Sequence, residues 1–354
     1  MLEKKIIFIG IICILAVIIA AGAFTNKFVA NNTTTAATTN LTGIVVNSGQ
    51  SIQSAIDNAP IGSNIIVNPG TYTEPLNIDK NITLIANGTV NLSEVHINGT
   101  GTTLQGFILS GDYPVQLSNT NRVKILKNII HSNLNGIEDS GTNINLLVEG
   151  NTIIGTNPLF GNNMAFEGVT NNAIIKNNAL SGAQHGILFD KASTNNTVIG
   201  NTIVGNVQLI HTGPGTLDHE GTAIYTVDGS TNFQILNNNV SYERDGIALQ
   251  QIGNLTGSGF VISGNICTNN MNAIWMTISN SEISNNVFTN NNEGVDITGT
   301  GNIIKSNIIT NNKVVGIALT TKTSTDSNTV SDNTMSGNKH DFYTAGNGTA
   351  IGIK

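Results

Sequence analysis

The chain has 354 residues, of which 10% are charged and 5% aromatic, and its formal net charge is −7. An acidic chain lacks the basic face that phosphate binding requires, so no nucleic acid partner is expected. Two cysteines, Cys13 and Cys267, supply no disulfide framework. Abundant Asn, Thr and Gly would suit disorder, but aliphatic residues recur regularly enough to build a continuous core.

Residues 1–24 carry Lys4 and Lys5, then an apolar run from Ile6 to Phe24. The run is long enough to cross a bilayer, and the lysine pair would hold the N-terminus in the cytoplasm. A retained transmembrane anchor is the favoured expectation. Ala21-Gly22-Ala23 also matches a small-x-small cleavage site, so a signal peptide is the alternative. Either reading exports the remainder, membrane-anchored at the cell surface or secreted. Residues 25–43 are rich in Asn, Thr and Ala without periodicity and read as a flexible linker. Asn31, Asn32 and Asn40 lie in N-x-Ser/Thr sequons, the basis for expecting a glycoprotein.

Residues 44–354 read as one folded region. Ser51 can cap a short helix with Ile52, Ala55, Ile56 and Ala59 on one face, which would cover the first coil of a stack. Three short strands follow, Ile65–Val67, Leu76–Ile78 and Ile82–Ile85, punctuated by Pro69-Gly70 and Asp79-Lys80. Beyond them one asparagine keeps returning: Asn128, Asn151, Asn178, Asn201, Asn238, Asn265, Asn286, Asn307 and Asn333. An aliphatic residue stands three places before each, and an apolar one two places after. Nine places after comes a further inward-type residue, Ile137, Phe160, Ile187, Ile210, Ile247, Ile274, Val295, Gly316 and Phe342. Gly316 breaks that series, and Ile317 beside it implies a one-residue bulge.

The asparagines are 23, 27, 23, 37, 27, 21, 21 and 26 residues apart. Such a period with alternating apolar residues means stacked coils of short strands, an all-β parallel β-helix of about a dozen coils. Asn suits the turn because it tolerates the left-handed conformation, and stacked amides can bond one another as a ladder. No amphipathic helix closes the C-terminal end.

The helix "SIQSAIDNAP", then "IIVNPGTYTEPLNI", then the asparagine coils resemble the pectin-lyase-like right-handed β-helix superfamily. Within it the chain is most similar to NosD-type periplasmic β-helix proteins and to archaeal surface proteins built of the same repeats. The resemblance covers roughly residues 44–345. It implies the fold, but the same coils host lyases, epimerases, hydrolases, adhesins and copper-delivery proteins.

With a core of stacked aliphatics, chemistry belongs on outward positions and in overlong loops. Counting from each ladder Asn, positions seven, ten and twelve face outward. They place His185, Asp190, His211, Asp245, Gln250 and Trp275 on neighbouring coils, with Pro158, Gly161 and Asn163 in the same columns. The 37-residue interval adds Asp218, His219, Glu220, Tyr225 and Asp228. In an alternative register Ala223-Ile224-Tyr225 forms the rung and His211 falls in the loop. The catalytic candidates are His211 or His219 as base, Arg244 as a carboxylate clamp and Tyr225 as proton donor. Trp275, His185, Gln250 and Asp190 are the candidate substrate contacts, with Trp275 as a stacking platform. Asp218, Glu220 and Asp245 could hold Ca²⁺ through oxygen ligands. Arg244 could instead pair with Glu243 or Asp245, and Trp275 could simply cover the loop base.

Three readings follow. The first is a monomeric surface protein that binds or processes an extracellular polysaccharide, as a uronate lyase or epimerase would. The second is a non-catalytic adhesin or envelope module. The third, resting on the resemblance, is a NosD-like copper-binding accessory; Met164, Met271, Met276 and Met335 are too scattered to favour it.

Overall fold

A computed structural model describes residues 42–205, 221–227, 229–251, 255–320 and 328–344. The apolar segment 1–24 and nearly all of the linker lie outside these residues. Among the described residues no helix is long and apolar enough to cross a membrane.

The chain winds into a parallel β-solenoid with three sheets of 13, 12 and 12 strands. Each coil contributes one strand to each sheet in turn. The first sheet begins at Ile44–Val46 and ends at Thr329–Ser331. The second runs from Gly70–Tyr72 to Thr334–Ser336, and the third from Leu76–Ile78 to Phe342–Thr344. Every pairing in the three sheets joins equivalent strands of successive coils in parallel register, as Ile125 with Val148 and Val148 with Ile175.

The N-terminal end is covered as the sequence predicts. Ile52–Asn58 is a helix whose N-cap Ser51 accepts a hydrogen bond from the Ser54 N–H at 3.0 Å. Glu74 adds a second cap by accepting from the Ile52 N–H at 2.6 Å. Ile52, Ile56 and Ala59 are buried against the first coil, and Ala55 packs on it partly buried. One expectation fails here. Gly70 does not merely turn the chain but starts a strand, Gly70–Tyr72, so the first coil has three strands where the sequence offered two before Asp79.

The ladder asparagines stack in the order expected. Asn128 donates to the Asn151 side-chain oxygen at 3.1 Å, Asn151 to Asn178 at 3.0 Å, and Asn178 to Asn201 at 2.9 Å. The series continues through Asn238, Asn265, Asn286, Asn307 and Asn333. Each amide oxygen also takes the backbone N–H of the ladder residue one coil earlier, as Asn238 takes that of Asn201 at 2.9 Å. The reason for Asn differs from the expected one. The left-handed residue is the one before each ladder Asn: Lys127, Gly150, Asn177, Gly200, Asn237, Gly264, Asn285, Ser306 and Asp332. The ladder Asn itself is selected for a buried amide that donates and accepts at once.

A second amide ladder, unforeseen, runs along the corner between the second and third sheets. Asn270 donates to Asn291, Asn291 to Asn312 and Asn312 to Asn338, at 3.2, 3.2 and 2.9 Å. Glu243 holds the equivalent place one coil earlier, and its N–H donates to Asn270 at 2.9 Å.

The core is the aliphatic stack that the spacing predicts, extended by Phe166, Phe189, Phe233 and Phe260 with ring centroids 4.8, 4.9 and 5.1 Å apart. Phe160, assigned inward, is 73% exposed, and Met164 takes its place fully buried and paired with Ile137 and Ile187. An insertion before Asn162 shifts the strand by four residues, so Asn163 is buried instead of outward. The Gly316 bulge is present: Ile317 pairs with Val295 and Phe342 and is buried.

Candidate functional site

The outward face of the third sheet gathers most of the described candidates. Its strands Asn162–Phe166, His185–Phe189, Thr222–Thr226, Asp245–Leu249, Asn272–Met276 and Glu293–Ile297 are consecutive rungs. Neighbouring rungs are about 4.8 Å apart, so side chains in one column touch. One column reads Asn162, His185, Thr222, Asp245, Asn272, Glu293. The next reads Ala165, Leu188, Tyr225, Ala248, Trp275, Asp296. Tyr225 and Trp275 thus flank the small Ala248, two rungs apart.

Of the two registers left open for the 37-residue interval, the structure takes the second. Thr222–Thr226 forms the rung, and Ile224 pairs with Ile187 and Ile247. The inward place of that rung is therefore filled by Ile224. His211, Asp218, His219, Glu220 and Asp228 lie outside the described residues, so the two candidate bases and two of the three candidate Ca²⁺ ligands are not placed.

The placed candidates make a connected set. His185 and Tyr225 stand on adjacent rungs with ring centroids 5.4 Å apart. The Tyr225 hydroxyl hydrogen-bonds Gln250 Oε1. Asp245 is 10% exposed at its side chain; its Oδ1 accepts from Asn272 Nδ2 at 2.7 Å and its Oδ2 lies 3.9 Å from Arg244 Nε. Arg244 therefore pairs with Asp245 and not with Glu243, which is buried. Asp190 sits apart at the solvent edge, 3.5 Å from the Lys191 ammonium.

Burial sets the proton chemistry. It lowers His185 to about 4, against an opposing backbone hydrogen bond at Thr222. His185 is thus neutral at physiological pH and acts through hydrogen bonds, not charge. Burial, then the charges of Asp296 and Asp245, raise Glu293; burial also raises Asp296, against a hydrogen bond from Thr320. Burial, with the neighbouring Asp245 charge, raises Glu243 well above the usual carboxylate range.

Two buried polar atoms on this face have no hydrogen-bond partner. They are Asn162 Oδ1 and His185 Nδ1, on consecutive rungs of one column. Leaving such an atom unsatisfied costs on the order of 1–3 kcal/mol. The sequence reading missed Asn162, because the insertion before it hid the column. It also missed Glu243, although that residue sits five places after Asn238, as Asn270 does after Asn265.

The candidate metal set is not assembled by the described residues. Among them no group of three or more His, Cys, Asp or Glu could hold a metal ion. Of the described soft donors, Cys267, Met164 and Met276 are fully buried in the core, and Met271 and Met335 are partly buried.

Known structures share the coil. The catalytic unit of a thermostable α-1,3-glucanase from Streptomyces thermodiastaticus aligns at 17% identity and TM-score 0.65, covering 87% of this chain and 68% of that one. The A-module of a mannuronan C-5 epimerase from Azotobacter vinelandii aligns at 15% identity and TM-score 0.59, over 82% of this chain and 92% of that one. The Streptococcus pneumoniae surface protein and adhesin PfbA aligns at 14% identity and TM-score 0.53, over 86% and 100%. At these identities the likeness concerns the fold. No curated protein sequence matches. The family model described as periplasmic copper-binding protein (NosD) matches residues 53–226 and 212–351, which together span nearly the whole solenoid. The chain therefore belongs to the NosD family, within the pectin-lyase-like right-handed parallel β-helix superfamily.

Proposed function

We propose that this is an extracytoplasmic protein that binds an extended polysaccharide across the outward face of its third sheet, from Asn162 to Asp296. The observation that carries this reading is the outward column of Tyr225, Ala248 and Trp275, with the two half-buried aromatic rings two rungs apart and His185 on the rung beside Tyr225. A sugar offers an apolar ring face for the aromatics and hydroxyls for the polar side chains around them. Neutral His185 suits that contact, since its ring can accept or donate without carrying charge. Structural neighbours named for glucan hydrolysis, mannuronan epimerisation and adhesion support a glycan as the partner class. The periplasmic description of the family supports a location outside the cytoplasm. The apolar segment 1–24 would then tether the coil to the membrane.

Turnover is a further step of the same reading, with His211 or His219 as the base. Arg244 is a weak clamp for a uronate, because Asp245 already engages it and Glu293 and Asp296 make the face acidic. Asp218 and Glu220, two of the three candidate Ca²⁺ ligands, lie outside the described residues, and Ca²⁺ stays part of the proposal only with them.

The test uses the full chain, titrated calorimetrically with soluble neutral and acidic polysaccharides. Binding is expected, and His185→Ala or Trp275→Ala should weaken it at least tenfold, about 1.4 kcal/mol, with an unchanged melting temperature. A chain that binds none of the panel, or variants that bind as well as the parent, would overturn the reading. Absorbance from unsaturated sugar ends in the same samples reports lyase turnover.

A further inference from the structure

We propose that the corner between the second and third sheets carries a separate binding site for a carboxylated pyranose, held by Tyr242, Lys313 and three free amides. The site is a depression of about 270 Å³ lined by Tyr242, Asn269, Met271, Asn290, Asn292 and Lys313. That volume is below the range of about 300–1,000 Å³ usual for drug-sized ligands and suits a single sugar unit.

Three observations converge there. Tyr242 has φ +62° at a corner position that other coils fill with Gly182, Asn269, Asn290, Asn311 or Gly337. The turn selects Gly or Asn; nothing in it selects an aromatic ring, and strain of this kind is a pointer to function. Second, the side-chain amides of Asn269, Asn290 and Asn292 form no hydrogen bond among the described residues. The adjacent Asn270 amide is by contrast committed to the ladder, accepting from Glu243 and donating to Asn291. Third, Lys313 stands at the one-residue insertion that separates Asn307 from Ile317 by ten residues where the two preceding coils, Asn265 to Ile274 and Asn286 to Val295, have nine. Its ammonium is exposed and has no ion pair among the described residues.

The chemistry is that of a sugar acid. A phenol ring packs on the apolar face of a pyranose, amides read its hydroxyls, and an unpaired ammonium takes a carboxylate. The acidic third sheet would repel that carboxylate, whereas this corner attracts it. The site does not depend on the sheet-face reading above.

The experiment is an NMR titration of the isotope-labelled full chain with digalacturonate and with its methyl ester. Side-chain amide signals of Asn269, Asn290 and Asn292 are expected to shift and saturate, with the ester at least tenfold weaker. Tyr242→Gly should abolish the shifts without lowering the melting temperature, because glycine relieves the left-handed strain. Lys313→Gln should make acid and ester equal, and Trp275→Ala should change nothing. The proposal is overturned if the shifts do not saturate, if acid and ester bind alike in the parent, or if Tyr242→Gly binds normally. A site abolished by Trp275→Ala would place the sugar on the sheet face and also overturn it.

Discussion

Truncating a ladder amide in the middle of the stack should cost far more than truncating one at its end. Asn238 accepts from the Asn201 N–H at 2.9 Å and from Asn201 Nδ2 at 3.0 Å, and it donates to Val198 O at 2.9 Å. Asn238→Ala leaves those three groups buried without this partner. Asn201 Nδ2 keeps its bond to Ile175 O, and Asn265 Oδ1 keeps the Asn238 N–H. The loss therefore falls chiefly on the Asn201 N–H and the Val198 carbonyl. At about 1–3 kcal/mol for each unsatisfied group, the variant should lose about 3–5 kcal/mol. Asn333 also bonds Asn307 and Ile304, but it is partly exposed at the last coil. Water can replace its amide, so Asn333→Ala should cost about 1 kcal/mol. Urea unfolding followed by Trp275 fluorescence compares the two through their midpoints. Because stacked coils can unfold stepwise, circular dichroism must be read in parallel. Equal midpoints for the two variants would refute the idea that a buried, two-way amide holds neighbouring coils in register.

Other outcomes follow from buried groups. Burial raises Glu243, so the folded state binds its proton more tightly than the unfolded chain does. Its contribution is full below about pH 4.5 and is lost as pH rises through the folded value. Glu243→Gln should therefore flatten part of the fall in melting temperature between pH 4.5 and 8 and raise it at pH 8; a steeper fall would contradict this. The Cys267 thiol is fully buried and pushed up by burial, so it should resist a thiol reagent until the chain unfolds. Labelling of the native protein at the rate of a free thiol would disprove its core position. At Gly246 a methyl group would sit 2.7 Å from the Ala273 carbonyl oxygen of the next coil. Gly246→Ala should destabilise the fold by about 1–3 kcal/mol in the same urea assay, and an unchanged midpoint would show that the rung can shift.

How much was legible depends on whether the residue count runs unbroken. From Asn265 to Asn307 the spacings are regular, and the inward residues Ile274 and Val295 could be read by counting. Outward Asp245 and Trp275 were placed the same way. Where an insertion of unknown length enters a coil, the count loses its phase. Phe160 and Ile210 were assigned inward for that reason, and Met164 and Ile224 stand there instead. The same loss of phase hid Asn162, and with it the orphaned pair beside His185.

The sequence by itself determined that the chain coils, how long each coil is, and which asparagines stack. Those properties are repeated locally, and each repeat can satisfy its amide and bury its aliphatic residue only against another copy. The tertiary structure alone decided what meets across coils. Tyr225 faces His185 and bonds Gln250, and Lys313 and Tyr242 close on one depression. Such neighbours lie some 20 to 70 residues apart in the chain, and their register is fixed by hydrogen bonds between coils that no local pattern records.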